Sequence, residues 1–313
     1  MKHYILKRLL QLIPILIGIT LLSFLLMHIA SADAIDVMEQ NTGGILSEEA
    51  KEEVRRELGL DKPLLEQYGI WLKNMLTGDM GESYISGKPV FSTFLSKLPA
   101  TIYLTVASIL LTVLISVPLG ILAAVKQNRI LDYIIRFFSF IGNSLPNFFV
   151  SLLLIYFFAL KLQWFPVMGN TQGWKSIVLP TFTLAIAMAS KYTRQIRATV
   201  LEEWNKDYVL GARSRGVSEK RILYFSVLKA SMLTIITLLA LSIGSLLGGT
   251  AIVESIFMWD GVGKMAVDAI TMRDYPVIQA YVIWMAIIYV MVNLVTDIIY
   301  HYFDPRNNFS ESQ

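Results

Sequence analysis

Four polar side chains stand inside otherwise apolar runs and are the first residues of this sequence that could do chemistry. Asn143, Glu254, Asn293 and Asp297 lie among Leu, Ile, Val and Phe, where a polar or ionisable group is costly unless it faces water, a partner or a bound ion. Glu254 is the best candidate to face water or a partner subunit. Catalysis finds no constellation here. No two carboxylates have a spacing suited to acid–base work, His3, His28 and His301 are scattered, and no cysteine offers a thiolate or a disulfide. No metal site is therefore assigned. Gly81 to Lys88 has a glycine followed by Gly87-Lys88, but five residues intervene where a phosphate-binding loop has four. Pro89 also stands where Ser or Thr would hold magnesium.

Helix breakers and small residues set these groups in context. Pro118-Leu119-Gly120, Asn143-Ser144-Leu145-Pro146-Asn147, Leu179-Pro180 and Gly244, Gly248 and Gly249 fall within or beside apolar runs. Close packing and kinks would use such residues, and so would a polar pathway. The candidates for that pathway are Asn143, Pro146, Asn147, Gly248 and Glu254.

The elements that must carry them span a membrane. With 55% hydrophobic and 16% charged residues over 313 positions and a mean hydropathy of +0.56, the chain is too apolar for a soluble domain of this length. We expect an all-α, polytopic protein with six transmembrane helices. The first is Leu9 to Ile29, which exceeds a signal-peptide core and is read as retained although Ala30-Ser31-Ala32 resembles a cleavage site. The others are Thr101–Val125, Phe137–Leu160, Ile177–Tyr192, Leu233–Ile256 and Val277–Tyr302, each judged against a hydrocarbon core about 30 Å thick. Sixteen Lys and Arg then fall on one side, and short loops on the other carry only Lys161, Lys175, Lys264 and Arg273. This places both termini and the 192–232 loop in the cytoplasm. The expected organisation is an N-terminal span (1–30), an outward segment with amphipathic helices (31–98), a five-helix core (99–304) containing the loop 200–231, and a cytoplasmic tail (305–313). Within the outward segment a charged surface helix ends at Gly59, and a second helix, Leu64 to Leu76, is amphipathic around Tyr68, Trp71 and Leu72.

The loop is the most informative stretch. Between two apolar runs it carries Lys206, Arg213, Arg215, Lys220, Arg221 and Lys229, which cannot sit in hydrocarbon. Tyr208, Val209, Ala212 and Gly216 recur at helical spacing, and Ser218 can cap a second helix holding Ile222, Leu223, Phe225 and Val227. Two short helices joined at Gly216 are expected. Such a pair can lie on lipid or dock on a soluble partner, or the loop can be a basic segment that only sets topology.

Asp207-Tyr208-Val209-Leu210-Gly211-Ala212-Arg213-Ser214-Arg215-Gly216-Val217-Ser218 resembles the coupling loop of ABC-importer permeases, in the form found in the dipeptide, oligopeptide and nickel branch. It departs from the general motif, with Leu210-Gly211-Ala212 for Glu-Ala-Ala and Leu228-Lys229 for Leu-Pro. Leu58-Gly59-Leu60-Asp61-Lys62-Pro63, Leu98-Pro99-Ala100-Thr101, Gly248-Gly249-Thr250-Ala251-Ile252-Val253-Glu254, Arg273-Asp274-Tyr275-Pro276 and Asp304-Pro305-Arg306 extend the resemblance over almost the whole chain. Asp260 stands where the family commonly has proline. The resemblance implies a non-catalytic subunit of a bacterial-type cell membrane with the type I ABC-importer permease fold. It would pair with a second, similar permease, two cytoplasmic ATPases that bind ATP and magnesium, and an extracytoplasmic solute-binding protein. It implies no cofactor on this chain and assigns Asp207, Tyr208, Ala212, Arg213, Gly216 and Ser218 to ATPase coupling. Leu162 to Gly169 and Pro146-Asn147-Phe148 resemble nickel permeases more than peptide permeases. The expected cargo is therefore nickel or a nickel chelate, with peptides as the alternative. A gradient-driven transporter would want inverted repeats and intramembrane ion sites, of which no convincing repeat is visible. An intramembrane enzyme lacks its nucleophile and base.

Overall fold

The computed structural model describes residues 10, 13–25, 47–57, 61–169 and 173–303. The basic start of the first span, Ala30-Ser31-Ala32, Gly59 and the tail 305–313 lie outside them. Among the described residues the structure is helical, with one isolated bridge between Glu82 and Pro89. The elements are α1 (Ile13–Leu25), α2 (Glu48–Glu57), α3 (Leu64–Leu76), α4 (Val90–Val125), α5 (Ile130–Ser144), α6 (Asn147–Leu154), α7 (Trp174–Trp204), α8 (Asp207–Ser214), α9 (Glu219–Ile222), α10 (Leu228–Ile256), α11 (Val262–Met272) and α12 (Tyr275–Phe303). π turns follow α6 (Ile155–Lys161) and α9 (Leu223–Val227).

The chain divides into two units, Met1–Ala100 with Asp260–Val290, and Thr101–Trp259 with Met291–Gln313. In the first, the amphipathic face expected of α3 is used against α1. Phe24 meets Tyr68 and Trp71 with ring centroids 5.4 and 5.9 Å apart, and the hydroxyls of Thr20 and Tyr68 share a 2.9 Å hydrogen bond. Gly81 to Pro89 is a tight turn with Gly81 and Gly87 at positive φ. Ser83 donates to the buried Asp274 carboxylate, and the Tyr84 amide donates to the same group at 3.1 Å. Phe91 and Phe94 pack on Trp284.

In the second unit α7 packs against α5, α6 and α10. Two glycines make close approaches possible. A Cβ on Gly142 would lie 2.2 Å from Ser190 Oγ, and one on Gly120 would lie 2.8 Å from the Ile196 side chain, both closer than packed atoms tolerate. The α4–α5 turn is locked to α7 by an ion pair whose carboxylate is buried and whose guanidinium is partly exposed: Arg197 Nε and a terminal guanidinium nitrogen each sit 2.7 Å from an oxygen of Asp132. Asn128 N also donates to Asp132, at 3.0 Å.

Two expectations about the spans are corrected. α4 begins at Val90 and runs for 36 residues, roughly 54 Å at 1.5 Å per residue, so it extends well beyond the expected Thr101–Val125. The expected continuous span Phe137–Leu160 is two helices with a bend of 103° between them. The cause is Pro146, which has no N–H to donate and drives the preceding Leu145 to an extended φ −83°, ψ 129°. The break is then reused as a start, because the Pro146 carbonyl accepts from Phe149 N and Val150 N. By length and composition two described helices can cross a membrane, or three if the bent pair counts as one. α7 and α10, at 31 and 29 residues, are long enough in rise alone.

Candidate functional site

The loop after α7 folds as α8, a turn and α9, as its periodicity anticipates. α8 ends in a Schellman closure, with Gly216 N donating to the Arg213 carbonyl at 2.9 Å and Val217 N to that of Ala212 at 3.1 Å. Gly216 holds φ +77° there. No atom lies within 4 Å of where its Cβ would be, so the glycine is required by backbone conformation and not by crowding. Ser218 takes the N-cap position of α9, but its side chain makes no capping bond.

The second helix is not separate. α9 passes through the π turn directly into α10, so the loop and a long core helix form one continuous rod. Ile222, Leu223 and Val227 turn inward with Val209 and Ala212, against Ala124, Tyr192, Ile196, Val200 and Ile235 of α4, α7 and α10. Each of the larger buried side chains contributes about 1.5–3 kcal/mol relative to exposure. Phe225, expected in the same stripe, faces outward, because the π turn's i→i+5 bonding changes the angular step at that point.

Charge pairing closes the outer side. Arg213 donates from Nε and a terminal nitrogen to Glu219, at 2.7 and 3.1 Å, and its guanidinium lies 5.5 Å from the Trp204 ring centroid. These hydrogen bonds hold the Glu219 carboxyl below the usual carboxylate range and raise Arg213 further. An exposed pair of this kind adds little stability, less than one buried Val or Ile, so the apolar inner face anchors the loop and Arg213–Glu219 sets its angle. Tyr208 donates to Glu203 at 3.0 Å. Partial burial, then that bond and the Glu203 charge, push its hydroxyl up to about 12. Outward there remain Tyr208, Leu210, Tyr224 and Phe225, between 41% and 74% exposed.

The pathway residues are distributed over two places. Asn143 and Pro146, both exposed, and the half-buried Asn147 gather at the 103° bend. Gly248 and Glu254 lie on α10. Glu254 faces neither water nor a free surface: it is fully buried and accepts from Thr101 Oγ1 at 2.7 Å. A hydroxyl-bearing stripe on α4 explains this placement. Thr101, Thr105, Ser108, Thr112 and Ser116 are all buried and recur every three or four residues, which puts them on one helical face. That spacing is legible in the sequence. So was Asp132, the one acid beside Lys126, Arg129 and Arg136. Its partner on α7 was not.

Comparison with known proteins decides the family. Residues 116–308 match the model of the binding-protein-dependent transport system inner membrane component, and residues 1–105 match that of the N-terminal part of the same membrane component. The chain belongs to this family. It is a multi-pass permease component of an ABC importer and resides in the inner (plasma) membrane. The oligopeptide transport system permease protein AppB of Bacillus subtilis (strain 168) is 40% identical, over 98% of this chain and 99% of the relative. The glutathione transport system permease protein GsiC of Escherichia coli (strain K12) is 36% identical, over 97% and 98%. The fold is shared with the MetNI methionine ABC transporter in an inward-facing conformation, with a TM-score of 0.57 at 15% identity, covering 68% of this chain and 96% of that one.

Proposed function

We propose that this permease component forms half of the translocation pathway of an importer for short peptides. The observation that carries the cargo is the pair of near-full-length relatives, one named for oligopeptides and one for glutathione, itself a short peptide. Nickel, expected from Leu162–Gly169, has no counterpart in those names, and peptides replace it as the main reading.

The loop is the coupling element in this proposal. Its apolar inner face is packed on α4, α7 and α10, while Tyr208, Leu210, Tyr224 and Phe225 offer an exposed apolar surface suited to a groove on a cytoplasmic ATPase. Because α9 continues into α10, a displacement of the loop moves a core helix without an intervening hinge. ATP and magnesium belong to two such ATPases, this chain hydrolyses nothing, and a second permease and a solute-binding protein complete the machine. The bend at Pro146 and the small residues of α10 supply its share of the pathway.

The test is uptake in a strain lacking the gene. Loss of labelled tripeptide uptake, with nickel accumulation unchanged in metal-poor medium, is the expected result. Normal peptide uptake with lost nickel accumulation overturns the cargo. Co-purification of ATPase subunits with the tagged chain tests the assembly separately.

A further inference from the structure

A groove of about 520 Å³ opens on the outer side of α5 and α7, lined by Tyr133, Arg136, Phe137, Phe140 and Arg194. It lies at the end of the second unit where cations collect: Lys126 and Arg129 occupy the α4–α5 turn, and Lys191, Arg194 and Arg197 the neighbouring stretch of α7. Both lining arginines are exposed, and among the described residues neither makes a salt bridge. Asp132, one turn before Arg136, lies within coulombic reach of it but makes no hydrogen bond to either lining arginine, because its oxygens are taken by Arg197 and by Asn128 N. Arg136 rests 5.8 Å from the Tyr133 ring centroid, which steadies its planar fork.

From this geometry we propose that the groove binds the phosphate headgroup of an anionic membrane phospholipid. Two unpaired guanidiniums at the base of apolar helices match a phosphodiester in charge and in bidentate hydrogen bonding. The rings at Tyr133, Phe137 and Phe140 suit the level where headgroups meet acyl chains. Charge alone would serve a free phosphate equally well. The apolar continuation favours a lipid: Phe137, Phe140 and Ile141 are exposed along α5 above the arginines, a track on which an acyl chain can lie and for which an inorganic ion has no use. The site also has a mechanical position. It bridges α5 and α7 on the arginine side of their tight crossing at Gly142 and Ser190, and α5 leads directly into the bend at Pro146. A bound headgroup would hold the arginine ends of the two helices together while the bend beyond them is free to change.

Native mass spectrometry of the purified, fully assembled transporter tests this with phosphatidylglycerol and phosphatidylcholine of identical chains as probes. Wild type is expected to retain phosphatidylglycerol preferentially. The double variant Arg136→Gln/Arg194→Gln should weaken that retention roughly ten-fold, and Arg136→Lys/Arg194→Lys, which keeps the charge but not the planar fork, should fall between it and wild type. Inorganic phosphate in excess should fail to displace the lipid. Equal retention of the two lipids, unchanged retention in the Gln variant, or displacement by phosphate alone would each overturn the proposal. So would cross-linking of a label at position 136 to another subunit in place of lipid. If the Gln variant does not assemble, the Lys variant and wild type still decide between lipid types and against free phosphate.

Discussion

Arg197 and Asp132 face each other edge to edge, two nitrogens to two oxygens at 2.7 Å, with the carboxylate fully buried. Sixty-five residues separate them in the chain, and the pair fixes where the α4–α5 turn meets α7. Removing one partner strands a buried charge, which costs about 3–5 kcal/mol, whereas replacing both by apolar residues of similar size is far milder. Arg197→Ala should therefore lower the melting temperature of the solubilised protein more than Asp132→Leu/Arg197→Met does. Equal losses in a thermal-shift series would show that the pair is not what holds this junction.

The loop can be tested by charge exchange. Arg213→Glu should impair transport by repelling Glu219 and opening the angle between α8 and α9, and Arg213→Glu/Glu219→Arg should restore much of it. Restoration marks an internal clamp; a double variant as inactive as the single one would mark Arg213 as a docking residue.

Gly216→Val places a β-branched residue at φ +77°, a strain of about 1–2 kcal/mol. Since the surrounding space is open, the chain should still insert and assemble while ATP hydrolysis no longer drives uptake. Normal coupled transport by this variant would show that the joint tolerates another backbone.

At the bend, Pro146→Ala returns an N–H and frees Leu145 from its extended conformation. The bend between α5 and α6 should fall from 103° toward a straighter helix. Spin labels on cysteines at Ile134 and Leu153, both exposed, can be placed without removing any native cysteine. Their separation should lengthen in the variant, and an unchanged distance would mean that packing on α7 imposes the bend.

Orientation follows from the distribution of Lys and Arg. Single cysteines at Glu52 and Lys220 should react with an impermeant thiol reagent from opposite faces of the membrane. Labelling of both in intact cells would overturn the topology.

What the sequence alone determined rests on local signals. Mean hydropathy and the low share of charged residues set the class, and the run from Asp207 to Ser218 marked the loop, because side-chain period, glycine placement and charge are all read within a few residues. Gly216 was legible for the same reason, since a Schellman closure needs its left-handed residue at a fixed offset from the helix end. Pro146 announced an interruption, although not its 103° angle, which depends on what the two arms pack against. Tertiary structure decided the rest. Glu254 reads as exposed until Thr101, 153 residues away, supplies its hydroxyl. Arg213 reads only as one more loop cation until Glu219 and Trp204 supply partners within the loop. Phe225 reads as core until the π turn rotates it out. In each case the deciding energy is a desolvation or a pairing between distant segments, and the partner that repays it is known only once the helices are packed.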